Sequence, residues 1–279
     1  MLLETDCPIY IINLKHKEKD LIRCLREIRK LDIFKNIIIT EAVNKDDAKK
    51  KSYMTITKQA YNNIEVSLKS IDVLPTWGSV GCALSHKKCW EDIVKKNLNY
   101  GIICEDDTKI TNISNFKYAF YNCLNKTIKH SNKYSNGCFT TFNSKINKTL
   151  SYDNKIMGVF TGTSFYMIDN NCAKKLISLF PITNQIDVEI GLNKESINLF
   201  NIPTNESGVG NYDHISSVQY HFIELKALIN CLNKILPTEL IEIIYNFLPK
   251  KYRLINNYGG YYGYGGYGGY GGYSGNIIN

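Results

Sequence analysis

A chain of 279 residues, 44% hydrophobic and 22% charged, has enough apolar material for one large α/β domain or two small ones, and too much Ile, Leu, Phe and Tyr to be disordered throughout. The net charge of +8 favours anionic partners, but no basic run exceeds Lys49-Lys50-Lys51 and no RNP, helix-turn-helix or zinc-finger pattern occurs, which argues against dedicated nucleic-acid binding. No apolar run approaches the roughly 20 residues that span a bilayer, and nine cysteines without paired spacing, behind an acidic Met-Leu-Leu-Glu-Thr-Asp start, point to a reduced, cytoplasmic setting.

Taken in order, the chain opens β-α-β. Ile9–Leu14 is an apolar run that reads as a buried strand. Asp20–Leu31 carries Leu21, Leu25 and Ile28 on one helical face, and Asn36–Thr40 is a second apolar run that completes the unit. Residues 44–70 are polar and weakly patterned. Ser79–Lys96 is the clearest helix, with Ser79 as its expected cap. Tyr100–Cys104 is a strand running straight into Glu105-Asp106-Asp107. Further strands are expected at Cys138–Phe142, Ser164–Ile168 and Asn198–Ile202, with a helix over Asn171–Leu179 stopped by Pro181. Alternating strands and helices predict an α/β sheet covered on both faces. Residues 223–255 form a leucine-rich helical extension, and 256–279 a Tyr/Gly-rich tail expected to be disordered. The tail holds ten of the 19 glycines, so the body is sparing with that residue.

Three stretches can carry chemistry. In the first, Glu105, Asp106 and Asp107 follow an apolar strand, and carboxylates this close repel. A hard divalent cation offsets that repulsion, and the carboxyl end of a strand in an open α/β sheet is where such folds bind nucleotides. A solvated turn is the plainer alternative. The second is Trp77–His86, where glycines flank a helix start suited to a diphosphate. Cys82, His86 and Cys89 share one helix face, so a zinc site is conceivable, although no fourth ligand is evident. His86 also reads as a hydrogen-bonded core histidine. The third is Thr161–Ser164, followed by Ile186-Asp187. There Asp187 can be a general base, a metal ligand or a helix cap.

Together these residues resemble glycosyltransferase family 25, which includes lipooligosaccharide galactosyltransferases and collagen hydroxylysine galactosyltransferases. Tyr10-Ile11-Ile12-Asn13-Leu14 looks like the opening strand of that family, and Glu41-Ala42-Val43-Asn44 like its second strand end. Gly81-Cys82-x-x-Ser85-His86 is similar to its most distinctive motif. Trp90-Glu91, Asn97–Asp107, Thr161–Leu176 and Ile186-Asp187 keep the family order, and the resemblance spans residues 8–220.

The resemblance implies a GT-A-like, Rossmann-type nucleotide-binding domain over residues 1–222 and inverting transfer of a hexose, galactose or glucose, from a UDP-sugar to a glycan or hydroxylysine-type acceptor. Manganese or magnesium would be held by Asp107 and Asp106. Asn13, Leu14, Gly81, Ser85, His86 and Glu105 would line the donor, and Asp187 would be the base. One rival is a catalytically inactive sugar-nucleotide-binding protein. Another is an adaptor, because Leu236-Pro237-x-Glu239-Leu240 with Ile243, Ile244, Phe247 and Leu248 looks like an F-box fragment that would recruit an Skp1-type partner. The Asn/Lys/Ile-rich composition and Tyr-Gly-Gly tail resemble proteins of giant DNA viruses.

Overall fold

The computed structural model describes residues 7–65, 76–131, 136–142, 163–193 and 195–212. The chain divides into two units, Met1–Glu224 and Leu225–Asn279, and every described residue belongs to the first. The helical extension and the Tyr/Gly tail lie outside the described residues, as do Thr161 and Gly162.

Strand β1 (Ile9–Asn13), helix α1 (Glu18–Arg29) and strand β2 (Ile37–Glu41) form the expected opening unit. The polar stretch after it folds as three short helices, α2 (Lys45–Lys50), α3 (Ser52–Thr55) and α4 (Lys58–Glu65). Asn44 starts the first of them, its side chain accepting from the backbone N–H groups of Asp46 and Asp47 at 3.0 Å each. Helix α5 (Trp77–Lys95) starts earlier than expected, because Thr76 rather than Ser79 is its cap. The Thr76 hydroxyl accepts from the Ser79 N–H at 3.2 Å, which places Gly78 and Gly81 inside the helix.

Strand β3 (Tyr100–Glu105) and the short β4 (Thr108–Ile110) flank the acidic turn. Helix α6 (Ile113–Ser131) was not expected from the sequence. It buries Phe116, Ala119, Phe120, Cys123 and Leu124 at helical spacing. Strands β5 (Cys138–Thr141) and β6 (Phe165–Asp169), helix α7 (Asn170–Ser178) and strand β7 (Asn198–Asn201) follow the sequence expectation closely. The structure adds α8 (Ile186–Leu192), α9 (Thr204–Ser207) and β8 (Val209–Asn211).

The main sheet has six strands in the order β2-β1-β3-β6-β5-β7, and β4 pairs with β8 in a separate ribbon. Only β6 is antiparallel to its neighbours. Alternation along the strands sends side chains to two cores. Tyr10, Ile12, Ile103, Tyr166 and Ile168 pack with α5 and α7 on one face. Ile9, Ile11, Ile102, Cys104, Phe165 and Met167 pack with α1 and α6 on the other. The α/β architecture read from the sequence is therefore present, built on a six-stranded mixed sheet. The eight cysteines among the described residues are all free thiols. None of the described helices is long and apolar enough to cross a membrane.

The topology picks out one location. After β1 the chain goes to β2 on one side, then crosses through α5 to β3 on the other. The carboxyl ends of β1 and β3 thus diverge, a switch point at which open α/β sheets form a crevice.

Candidate active site

Asn13 ends β1 and Glu105 ends β3, one step past the aligned pair Ile12–Glu105. The acidic triplet therefore leaves the sheet at the switch point. Asn13 is nearly buried, and its amide donates to Asp106 Oδ2 at 2.7 Å and to the Lys17 carbonyl at 3.1 Å. Burial raises the Asp106 carboxyl above its ordinary value, while Lys17 and the Asn13 amide pull the other way. Leu14 follows at the same edge, half-buried.

Asp107 is held by the β4–β8 ribbon. Its Oδ2 accepts from Asn211 Nδ2 at 3.0 Å, and its carbonyl from the Tyr212 N–H at 2.7 Å. Gly208 lets the ribbon start. Its φ is +63°, and a Cβ there would lie 2.1 Å from the Asn112 carbonyl oxygen. The Asp107 Oδ1 atom is buried and has no hydrogen-bond donor among the described residues. Burial first, and then the charge of Glu105, push the Asp107 carboxyl up to about 7. A buried carboxylate oxygen without a donor, beside two more carboxylates, is a donor set suited to a hard divalent cation.

Glu105 turns toward α5. Its Oε1 lies 3.3 Å from His86 Nε2, and its backbone N–H donates to the Ser164 carbonyl at 2.9 Å. His86 is 1% exposed, and its Nδ1 is 2.9 Å from the Tyr166 hydroxyl. Trp90 Nε1 donates to that same hydroxyl at 2.9 Å. The ligand atoms of Cys82, His86 and Glu105 lie within 4.8 Å of one another. Cys89 is not part of this group, since its thiol points to Thr40 Oγ1 at 3.5 Å. Burial, followed by the charges of Glu105, Asp187 and Asp107, raises the Cys82 thiol well above its ordinary value. Asp187 and Asp107 thus both lie within electrostatic reach of Cys82.

Gly81 and Ser85 join α5 to the end of β2. The buried Ser85 hydroxyl donates to the Gly81 carbonyl at 2.6 Å and accepts from the Val43 N–H at 2.8 Å. A Cβ on Gly81 would sit 2.3 Å from the Val43 carbonyl oxygen, so glycine alone permits this approach. Both residues are thus occupied in packing α5 against the end of β2. Asp187 opens α8, and its Oδ1 accepts from the Val188 N–H at 2.9 Å. The loop before α8 is tied instead by Glu189, whose Oε1 accepts from the Thr183 and Asn184 N–H groups at 2.7 and 2.8 Å.

Sequence reasoning did not single out Asn211, Tyr166 or Glu189. It also missed Glu27, a buried carboxylate on α1 that ties the ribbon down. Glu27 accepts from the Ile110 N–H at 3.1 Å, the Tyr212 hydroxyl at 3.2 Å and Lys30 Nζ at 2.5 Å. Arg23 stacks over the Tyr212 ring at 4.3 Å.

No curated protein matches the chain. Among solved structures, one described as a glycosyltransferase involved in the glycosylation of the major capsid of PBCV-1 is similar at 10% identity and a TM-score of 0.36, covering 78% of this chain and 99% of that one. Residues 6–190 match the family model described as Glycosyltransferase family 25 (LPS biosynthesis protein), well over half of the chain. The chain belongs to glycosyltransferase family 25.

Proposed function

We propose that this glycosyltransferase is a metal-dependent, inverting hexosyltransferase that uses a UDP-sugar donor, with galactose or glucose as the transferred unit. A glycan or a hydroxylysine-type hydroxyl is the acceptor. The observation that carries the reading is the buried, donorless Asp107 Oδ1 at the β1/β3 switch point. Asp107 and Asp106 would hold Mn²⁺ or Mg²⁺. When bound, such a cation supplies charge neutralisation for the diphosphate leaving group.

The chain's own residues do the rest. Asn13 fixes the Asp106 carboxylate, and Asn211 fixes that of Asp107. Glu105, with one oxygen held by His86, offers its other oxygen to a donor hydroxyl. Leu14 lines the uridine end, while Gly81 and Ser85 keep the opposite wall close. Asp187 takes the proton of the acceptor hydroxyl as that oxygen bonds to the anomeric carbon. The bond from that carbon to the diphosphate breaks, and UDP leaves with inversion. The free thiols support a cytoplasmic setting.

The test is UDP release from a panel of UDP-sugars by purified protein, with manganese and with EDTA. One UDP-hexose should be turned over, EDTA should stop the reaction, and added manganese should restore it. Equal turnover in EDTA would overturn the metal assignment. Failure to bind or hydrolyse any UDP-sugar would overturn the donor assignment.

A further inference from the structure

The contacts behind Glu105 form a chain whose direction can be worked out. Trp90 Nε1 is a donor only, so its 2.9 Å contact with Tyr166 is donated to the phenolic oxygen. The Tyr166 hydroxyl owns one hydrogen. Both residues are fully buried, and the only acceptor the described residues place within reach of that hydrogen is His86 Nδ1, at 2.9 Å. The hydroxyl therefore donates to Nδ1. A neutral imidazole that accepts at Nδ1 carries its proton on Nε2, which faces Glu105 Oε1 at 3.3 Å. The opposite tautomer would leave the phenol hydrogen buried without an acceptor, and would set the Nε2 lone pair against a carboxylate. Each of those is a substantial penalty.

We propose that Tyr166 and Trp90 are positioning residues which lock His86 in its Nε2–H tautomer, so that it donates to Glu105 and holds that carboxylate oriented for the sugar nucleotide. The claim about the donor rests on the reading of Glu105 given above. The claim about the tautomer does not. A rival use of the same atoms is a soft-metal site, because Cys82 Sγ, His86 Nε2 and Glu105 Oε1 lie within 4.8 Å of one another. Zinc needs a bare Nε2, and the tyrosine hydroxyl keeps that nitrogen protonated.

Two measurements test this. Long-range proton–nitrogen NMR reads the protonation of both ring nitrogens in the unaltered protein. The chain has five histidines, and the signal lost in His86→Gln identifies the one of interest. Expected is a bare Nδ1 and a protonated Nε2. A protonated Nδ1 would overturn the proposal. So would one equivalent of added zinc that strips the Nε2 proton in the unaltered protein but not in Cys82→Ser.

The second measurement is kinetic. Tyr166→Phe should raise the KM for the UDP-sugar about tenfold with kcat little changed, the pattern of lost uniform binding. In a His86→Gln background, where the amide supplies a fixed N–H, Tyr166→Phe should add nothing further to KM. A Tyr166→Phe protein with a lower Tm but an unaltered KM would show a merely structural hydroxyl and overturn the positioning role. Because the ring spectrum is read on the unaltered protein without a donor, with His86→Gln serving only to assign the signal, it decides the tautomer even if the donor reading fails.

Discussion

The amide of Asn13 and the carboxylate of Asp106 stand 93 positions apart in the chain and are joined by a 2.7 Å hydrogen bond across the ends of β1 and β3. That bond brings a neutral donor to a carboxylate whose burial disfavours its charge. Asn13→Ala should therefore leave Asp106 harder to ionise and poorer as a ligand. We expect manganese affinity, measured by calorimetry, to fall about tenfold, as for other residues that orient a metal ligand. Unchanged affinity would remove Asn13 from the site.

Asp107 is a carboxylate whose burial costs stability when it is ionised. Its carboxyl titrates at about 7 in the folded chain against an ordinary value of 3.8, so folding takes up a proton. Without metal, stability should therefore fall as pH rises from about 4 through 7, and the ionised form should be the less stable. Asp107→Asn keeps an acceptor for Asn211 and removes the charge. At pH 8 without metal it should raise Tm by about 2–4 °C, the shift that about 1 kcal/mol gives a domain of this size. It should also abolish manganese-dependent UDP release. A lower Tm would contradict the burial argument.

For Asp187, binding and transfer should separate. Asp187→Asn is expected to bind the UDP-sugar as before by calorimetry while transfer falls about 10²–10⁴-fold, the loss that follows removal of a general base. Loss of both would move Asp187 into the donor pocket.

Glu27 links the ribbon to α1 and carries an acid-side dependence of stability. Burial disfavours its charge, but hydrogen bonds from Lys30 and the Ile110 N–H outweigh that and hold the carboxyl below its ordinary 4.5. The stabilisation is present above that value and is lost as pH falls through the lower, folded one. Glu27→Gln should cost about 1–2 kcal/mol at pH 7. The cost should shrink toward zero below pH 4, which urea titrations at several pH values would show. Lys30 is about half exposed, so solvent screening reduces its share of the effect, and the buried Ile110 N–H contact is the one that water cannot replace.

The parts of this molecule that announce themselves in sequence are those whose partners are near in the chain or whose burial is continuous. Strands β1, β3 and β6 are unbroken apolar runs because both faces of the sheet are covered, and the acidic triplet stands out against β3. Helix α6 has a good apolar stripe, but Asn115, Asn122 and Asn125 dilute it, and it begins beside a strand too short to mark a boundary. The cap at Thr76 went unread because Ser79, three residues later, offers the same chemistry. Within the site, Asn13 and His86 were legible from short motifs. Asn211 holds its carboxylate across 104 positions, and Tyr166 meets His86 across 80, from the middle of an apolar strand. No local pattern encodes either meeting, since only the sheet order brings those segments together.

The β4–β8 ribbon has a consequence for how the enzyme can be cut. The family match stops at residue 190, yet Asn211 and Tyr212 grip Asp107, and Tyr212 is in turn pinned by Glu27 and Arg23. A fragment trimmed to the matched stretch would keep all three acidic residues and lose the hand that holds the last of them. On the proposed role of Asp107, the smallest piece that keeps its carboxylate held therefore runs at least to Tyr212, beyond the stretch that carries the family's signature motifs.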